Sequence, residues 1–167
     1  AEPDDHIKLP PGIDDVRAGV ELCLVVGERA KNRSPVEALD AIAGCTIAIA
    51  LRAHDEIPGL EGYKMFEAFL PLGPQVVPLD DVNFPAVDMG VKIDGELLDV
   101  RTTADWRFAP GDLVSYTSDV LTLEAGDLLT TGDPTRIERS IEPGDSVSAW
   151  IEGVGSISVT TTGADDE

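Results

Sequence analysis

The stretch that most limits what this chain can fold into is residues 45–51, CTIAIAL. It is apolar on both faces of an extended strand, and a strand with no polar face needs cover on each side. It is expected to form a buried central strand. Residues 20–26 (VELCLVV) are strand-like too and stop at Gly27. Between the two runs, Ser34-Pro35-Val36-Glu37 has the form of a capping box with proline at the first helical position. It should open a short helix with Ala38, Leu39 and Ile42 facing inward and Gly44 closing it.

Downstream, the signals are mostly those of short strands. Asp94-Gly95 between Val91-Lys92-Ile93 and Glu96-Leu97-Leu98 marks a hairpin. A short strand is expected at residues 75–77, and residues 53–63 read as a loop. Pro110 can start a second helix with Leu113, Val114, Thr117 and Val120 along one face. A near-repeat follows: LEAGD at 123–127 and IEPGD at 141–145 each read as a turn leading into a strand, and a last hairpin turns at residues 152–155. Many short strands, Gly/Asp turns and two small helices predict a β-rich α+β fold, a curled mixed sheet or β-roll rather than a βαβ sandwich.

Composition bounds the rest. The 167 residues suit one domain over 1–167, with ends fraying at about 1–5 and 163–167. Aromatic residues make up only 5% of the chain, so the core must come from Val, Leu, Ile and Ala. Thirty-two acidic against twelve basic residues leave a net charge of -20, which repels nucleic acid and anionic membranes as partners. The acids are interspersed with apolar runs rather than blocked into a tail, as on a solvated surface adapted to high salt. No apolar run reaches the length of a membrane-spanning helix, and the first residues carry no signal-peptide pattern. A soluble chain of the cytoplasmic kind is expected. Cys23 and Cys45 sit in apolar contexts as small core residues, not as a disulfide framework or a zinc site.

Four segments, in order, resemble the C-terminal catalytic domain of the fumarylacetoacetate hydrolase family: the strand from Glu21-Leu22 to Gly27, the buried strand after Gly44, KMFEAFLPLGP at 64–74, and the run LTLEAGDLLTTGDP followed by IEPGDSVSAWIEGVGSISV. The similarity extends from Val20 to about Val159. It implies that domain's fold and chemistry on 2-oxo or enol acids from aromatic-ring breakdown: hydrolysis, decarboxylation, hydration or tautomerisation. It also implies Mg²⁺ or a similar hard cation, held by oxygen ligands while it chelates the substrate and stabilises an enolate. In the family the ligands are two glutamates spaced i, i+2 on one strand and an aspartate on the buried strand.

By that resemblance the second glutamate is Glu21, whereas Gly19 stands two positions before it and Ala50 at the aspartate position, so one carboxylate of three survives. The Ser-Ala-Arg-Asp-x-Gln motif reads Arg52-Ala53-His54-Asp55-Glu56-Ile57, keeping the aspartate and losing the arginine and glutamine. The N-terminal lid, with its acid–base pair, is expected to be absent, and His6 reads as a surface histidine. Lys64 matches the active-site lysine, which binds the substrate carboxylate or stabilises the enolate; the plainer reading is a surface lysine. Thr131 matches the first threonine of a TGTP motif, or is simply a strand-end turn, and Asp133 replaces the second threonine. Asp55 reads as a loop cap and His54 as a weak ligand-binding position.

Two functions follow. One is a non-catalytic, metal-deficient subunit, as a homodimer or as a heteromer with an intact paralogue. The alternative is an active hydrolase, decarboxylase or isomerase that uses Lys64 and a weakly held or shared Mg²⁺ or Mn²⁺. A small 2-oxo acid is the expected ligand of either.

Overall fold

The computed structural model describes residues 6–54, 64–84 and 86–164. Its strands are β1 (His6–Lys8), β2 (Val16–Val26), β3 (Ile42–Ala53), β4 (Asp88–Ile93), β5 (Glu96–Thr102), β6 (Leu128–Thr130), β7 (Ser146–Ile151) and β8 (Gly155–Thr162). Its α-helices are α1 (Pro35–Asp40) and α2 (Pro110–Val120). The strands form a five-stranded sheet in the order β1-β8-β7-β4-β5 and a three-stranded sheet in the order β3-β2-β6. The first sheet is mixed, because β1 runs parallel to β8. This is the β-rich α+β architecture with two helices that the sequence predicts.

The two apolar runs pair with each other. β2 and β3 are antiparallel along their length, from Val16 opposite Ala53 to Val26 opposite Ile42. Both are buried on both faces, and alternation sorts their side chains into two sets. Val16, Ala18, Val20, Leu22 and Leu24 share a face with Cys45, Ile47, Ile49 and Leu51, and all join the main core. That core lies against the larger sheet, with β3 packed on β7 and β8, and β2 on β4 and β7. The opposite face carries Gly19, Glu21, Cys23, Thr46, Ala48, Ala50 and Arg52. Six of these (Gly19, Glu21, Cys23, Thr46, Ala48 and Ala50) are buried yet stand outside the main core.

In the three-stranded sheet the central strand is β2, and β3 lies at the edge. The expected central position of residues 45–51 is nonetheless met in hydrogen bonding, because segment 69–77 closes that edge. Leu51 N–H bonds Phe69 O at 3.0 Å, Ile49 N–H bonds Pro71 O at 3.1 Å, and Cys45 and Val77 exchange two bonds of 2.8 Å. Residues 75–77 therefore contribute an isolated bridge instead of the expected strand.

The hairpin at Asp94-Gly95 forms as expected, with φ of 52° and 81° at the two turn residues. The near-repeat is one turn used twice. Asp127 accepts Glu124 N–H at 2.8 Å, Asp145 accepts Glu142 N–H at 3.0 Å, and each turn leads into a strand.

Both helices start where their sequence signals stand. Ser34 N–H bonds the Glu37 carboxylate at 3.0 Å, and Pro110 opens α2. Their inward faces differ from expectation. α1 ends at Asp40 with only Ala38 buried; Leu39 is half exposed, Ile42 begins β3, and Gly44 lies inside the strand, where a Cβ would meet Val77 O at 2.5 Å. On α2 the buried positions are Gly111, Val114 and Ser118, while Val120 faces solvent. The cause is tertiary: α2 docks on α1 through its smallest residues, a contact invisible to apolar periodicity. No helix of the described residues is long and apolar enough to cross a membrane.

Candidate functional site

The polar face of the β2–β3 pair is the floor of the site. Glu21 stands on it with no accessible surface, opposite Ala48 in the register. Lys64 Nζ bonds Glu21 Oε1 at 2.8 Å, and Gly132 N–H bonds Oε2 at 3.0 Å. Gly132 sits at φ 88° in the turn after β6, a left-handed conformation that suits glycine. Both carboxylate oxygens thus have a donor, as a buried charge requires.

Thr131 anchors the same turn. Its N–H and its hydroxyl both donate to Leu22 O, at 3.0 and 3.1 Å. The hydroxyl thus ties the turn to β2.

Asp133, two residues on, lies over Gly19. A Cβ placed on Gly19 would stand 2.0 Å from Asp133 Oδ2 and 2.1 Å from its Cγ, so no other amino acid fits beneath that carboxylate. The Asp133 side chain is fully buried and pairs with the Arg52 guanidinium. Thr135 donates to it as well, through its N–H at 2.8 Å and its hydroxyl. Burial pushes the Asp133 carboxyl above its ordinary value; the Thr135 and Arg52 contacts pull it down, and the nearby Glu21 charge adds to the upward push. Arg52 projects from β3 on the same face as Ala50, and its Nε is buried without a hydrogen-bond partner.

The structure brings Glu21, Lys64 and the turn at residues 131–133 together, and it pairs Asp133 with Arg52 and Thr135, contacts to which the sequence analysis gave no role. The available signal was the exchange of neutral residues of the family motifs for charged ones, arginine at 52 and aspartate at 133. His54 is exposed, and its backbone N–H bonds Asp15 O at 2.7 Å. His6 is exposed at the start of β1. Asp55 lies outside the described residues.

The described residues of this site do not fit a divalent ion. Gly19 and Ala50 offer no donor, Glu21 is bonded at both oxygens, and Asp133 is committed to Arg52 and Thr135. Among the described residues no three His, Cys, Asp or Glu side chains converge on a metal position. Beside the turn lies an open pocket of about 260 Å³, lined by Trp106, Arg107, Phe108 and Leu113 on one side and by residues 131–134 on the other.

Comparison with known proteins agrees with this fold. The family pattern described as fumarylacetoacetate (FAA) hydrolase C-terminal matches residues 1–162. An uncharacterized protein of Pyrococcus abyssi is 33% identical over 160 residues, covering 92% of this chain and 71% of that protein. A mitochondrial oxaloacetate tautomerase of Bos taurus is 34% identical over 93% of this chain, which spans about half (53%) of the tautomerase. The crystal structure of a 5-carboxymethyl-2-hydroxymuconate delta-isomerase from Mycobacterium smegmatis superimposes with a TM-score of 0.90 at 31% identity, covering 99% of this chain and 66% of the isomerase. A maleylpyruvate hydrolase from Sphingobium sp. SYK-6, solved with manganese(II) and pyruvate, shares the fold with a TM-score of 0.84 at 23% identity, over 98% of this chain and 60% of that one.

Proposed function

This chain belongs to the fumarylacetoacetate hydrolase family, and we propose that within it the chain is a metal-deficient subunit, non-catalytic by itself and paired with an intact paralogue or with a second copy. The observation that carries this reading is the state of Glu21. The one surviving family carboxylate is buried and holds Lys64 and Gly132 N–H instead of presenting a free oxygen to a cation. Metal-assisted enolate chemistry needs a cation with open positions for the substrate, and these donors supply no such centre.

The ligand class follows from the family and from what the site retains. Isomerases and hydrolases of ring-cleavage products are among the neighbours, so a small 2-oxo or enol acid is the proposed ligand. The partial exposure of Lys64, about half of its side chain, supports a role for it in receiving a carboxylate. That same exposure favours the second reading, in which Lys64 serves an active hydrolase, decarboxylase or isomerase with a shared ion.

Purified chain in high salt, assayed for oxaloacetate tautomerisation and decarboxylation and for acylpyruvate hydrolysis, separates the two. The subunit reading predicts no turnover with Mg²⁺ or Mn²⁺ for the chain alone, and activity only when it is co-purified with an intact paralogue. Turnover by the chain alone, abolished by Lys64→Ala, would establish the enzyme reading.

A further inference from the structure

Gly19, Ala50, Arg52 and Asp133 are scattered through the sequence, but in the fold they occupy one patch. Gly19 and Ala50 are directly opposite each other on β2 and β3, Arg52 follows Ala50 on the same face, and Asp133 covers Gly19. A patch that had merely lost its ligands would be left with a void or with unpaired charge, both of which destabilise. This one holds a carboxylate in the space above Gly19 and a guanidinium bonded to that carboxylate.

We infer that Arg52 is the resident cation of this site: Gly19, Arg52 and Asp133 form an interlocked set that takes the place of a divalent ion and closes the position to metal. The inference deepens the metal-deficient reading and rests on it. Charge and volume both support it. Glu21 and Asp133 carry two negative charges, and Lys64 and Arg52 carry two positive ones, so the cluster is neutral as it stands. An added divalent ion would leave it at +2 and would have to compete with Lys64, Arg52, Thr135 and Gly132 N–H for the carboxylate oxygens.

The lock is steric as well as electrostatic. Any side chain at position 19 and the Asp133 carboxylate exclude each other, because the Cβ alone would lie 2.0 Å from Oδ2. A residue larger than glycine there must expel Asp133, and Arg52 then loses its partner. Removing the Asp133 carboxylate frees position 19 instead.

The test compares Gly19→Ala in two backgrounds. In the otherwise unchanged chain it is expected to lower Tm by several degrees, or to prevent folding. In an Asp133→Thr background the same change should move Tm little. Equal losses in both backgrounds, or failure of the double variant to fold where Asp133→Thr alone folds, would overturn the interlock. A Mn²⁺ titration followed by electron paramagnetic resonance completes it: the unmodified chain should leave the free Mn²⁺ signal undiminished. Equal losses without Mn²⁺ uptake would sink the interlock and leave the metal-deficient reading standing; stoichiometric uptake removed by Glu21→Gln would sink both.

Discussion

Glu21 illustrates how much a single buried charge depends on its neighbours. Its oxygens are served by a lysine 43 residues away and by a backbone amide 111 residues away. Lys64→Met leaves Oε1 without its donor, and a hydrogen bond to a buried charged group is worth about 2 kcal/mol. A loss of that order in urea unfolding is the expected result, with Lys64→Arg recovering part of it. Asp15 gives a titration that can be read in the same way. Its bonds to Arg17 and Ser140 lower its pKa from 3.8 to about 2. Since the folded value lies below the unfolded one, ionised Asp15 stabilises the fold above the unfolded pKa, and that contribution is lost as pH falls from near 3.8 toward 2. The Asp15→Asn chain should show a shallower loss of stability across this acid window. Little of this was legible in the sequence at residue scale. Resemblance located Glu21 and Lys64, and it marked 52 and 133 as positions changed from the family motifs, but the Arg52–Asp133 pair spans 81 residues and no local pattern says that the two meet.

Elements were legible wherever their cause is local. The Asp94-Gly95 hairpin, the two Gly-Asp turns and the helix starts at Pro35 and Pro110 are each specified within about four residues, and each forms where its signal stands. What failed was the inward face of both helices, because a helix–helix contact decides it. Gly111 is the point of closest approach: a Cβ there would lie 2.5 Å from Pro35 O and 3.1 Å from Leu39 Cγ. Gly111→Ala would gain helix propensity on an isolated helix, yet here overpacking should dominate and cost about 1–3 kcal/mol. Chemical denaturation of the variant decides the sign, and a stabilised Gly111→Ala chain would show that α2 can move away from α1.

At the scale of the whole molecule, two features set the behaviour. The charge of -20 makes self-repulsion a general cost of the compact state, which added ions screen. We propose that this is a surface suited to high salt. Tm should rise as KCl is increased from about 0.1 M, where the screening length is about 10 Å, to about 1 M, where it is about 3 Å. The second feature is the Arg52–Asp133 pair; if it closes the site to metal as we propose, the folded domain is indifferent to divalent ions, since anything that binds the native state selectively must raise its stability by mass action. Thermal melting of the purified chain at fixed, high ionic strength, in EDTA and then in excess Mn²⁺, tests this most directly. Superimposable curves are expected; a Tm that climbs with Mn²⁺ and falls back on chelation would mean that the site still takes a metal.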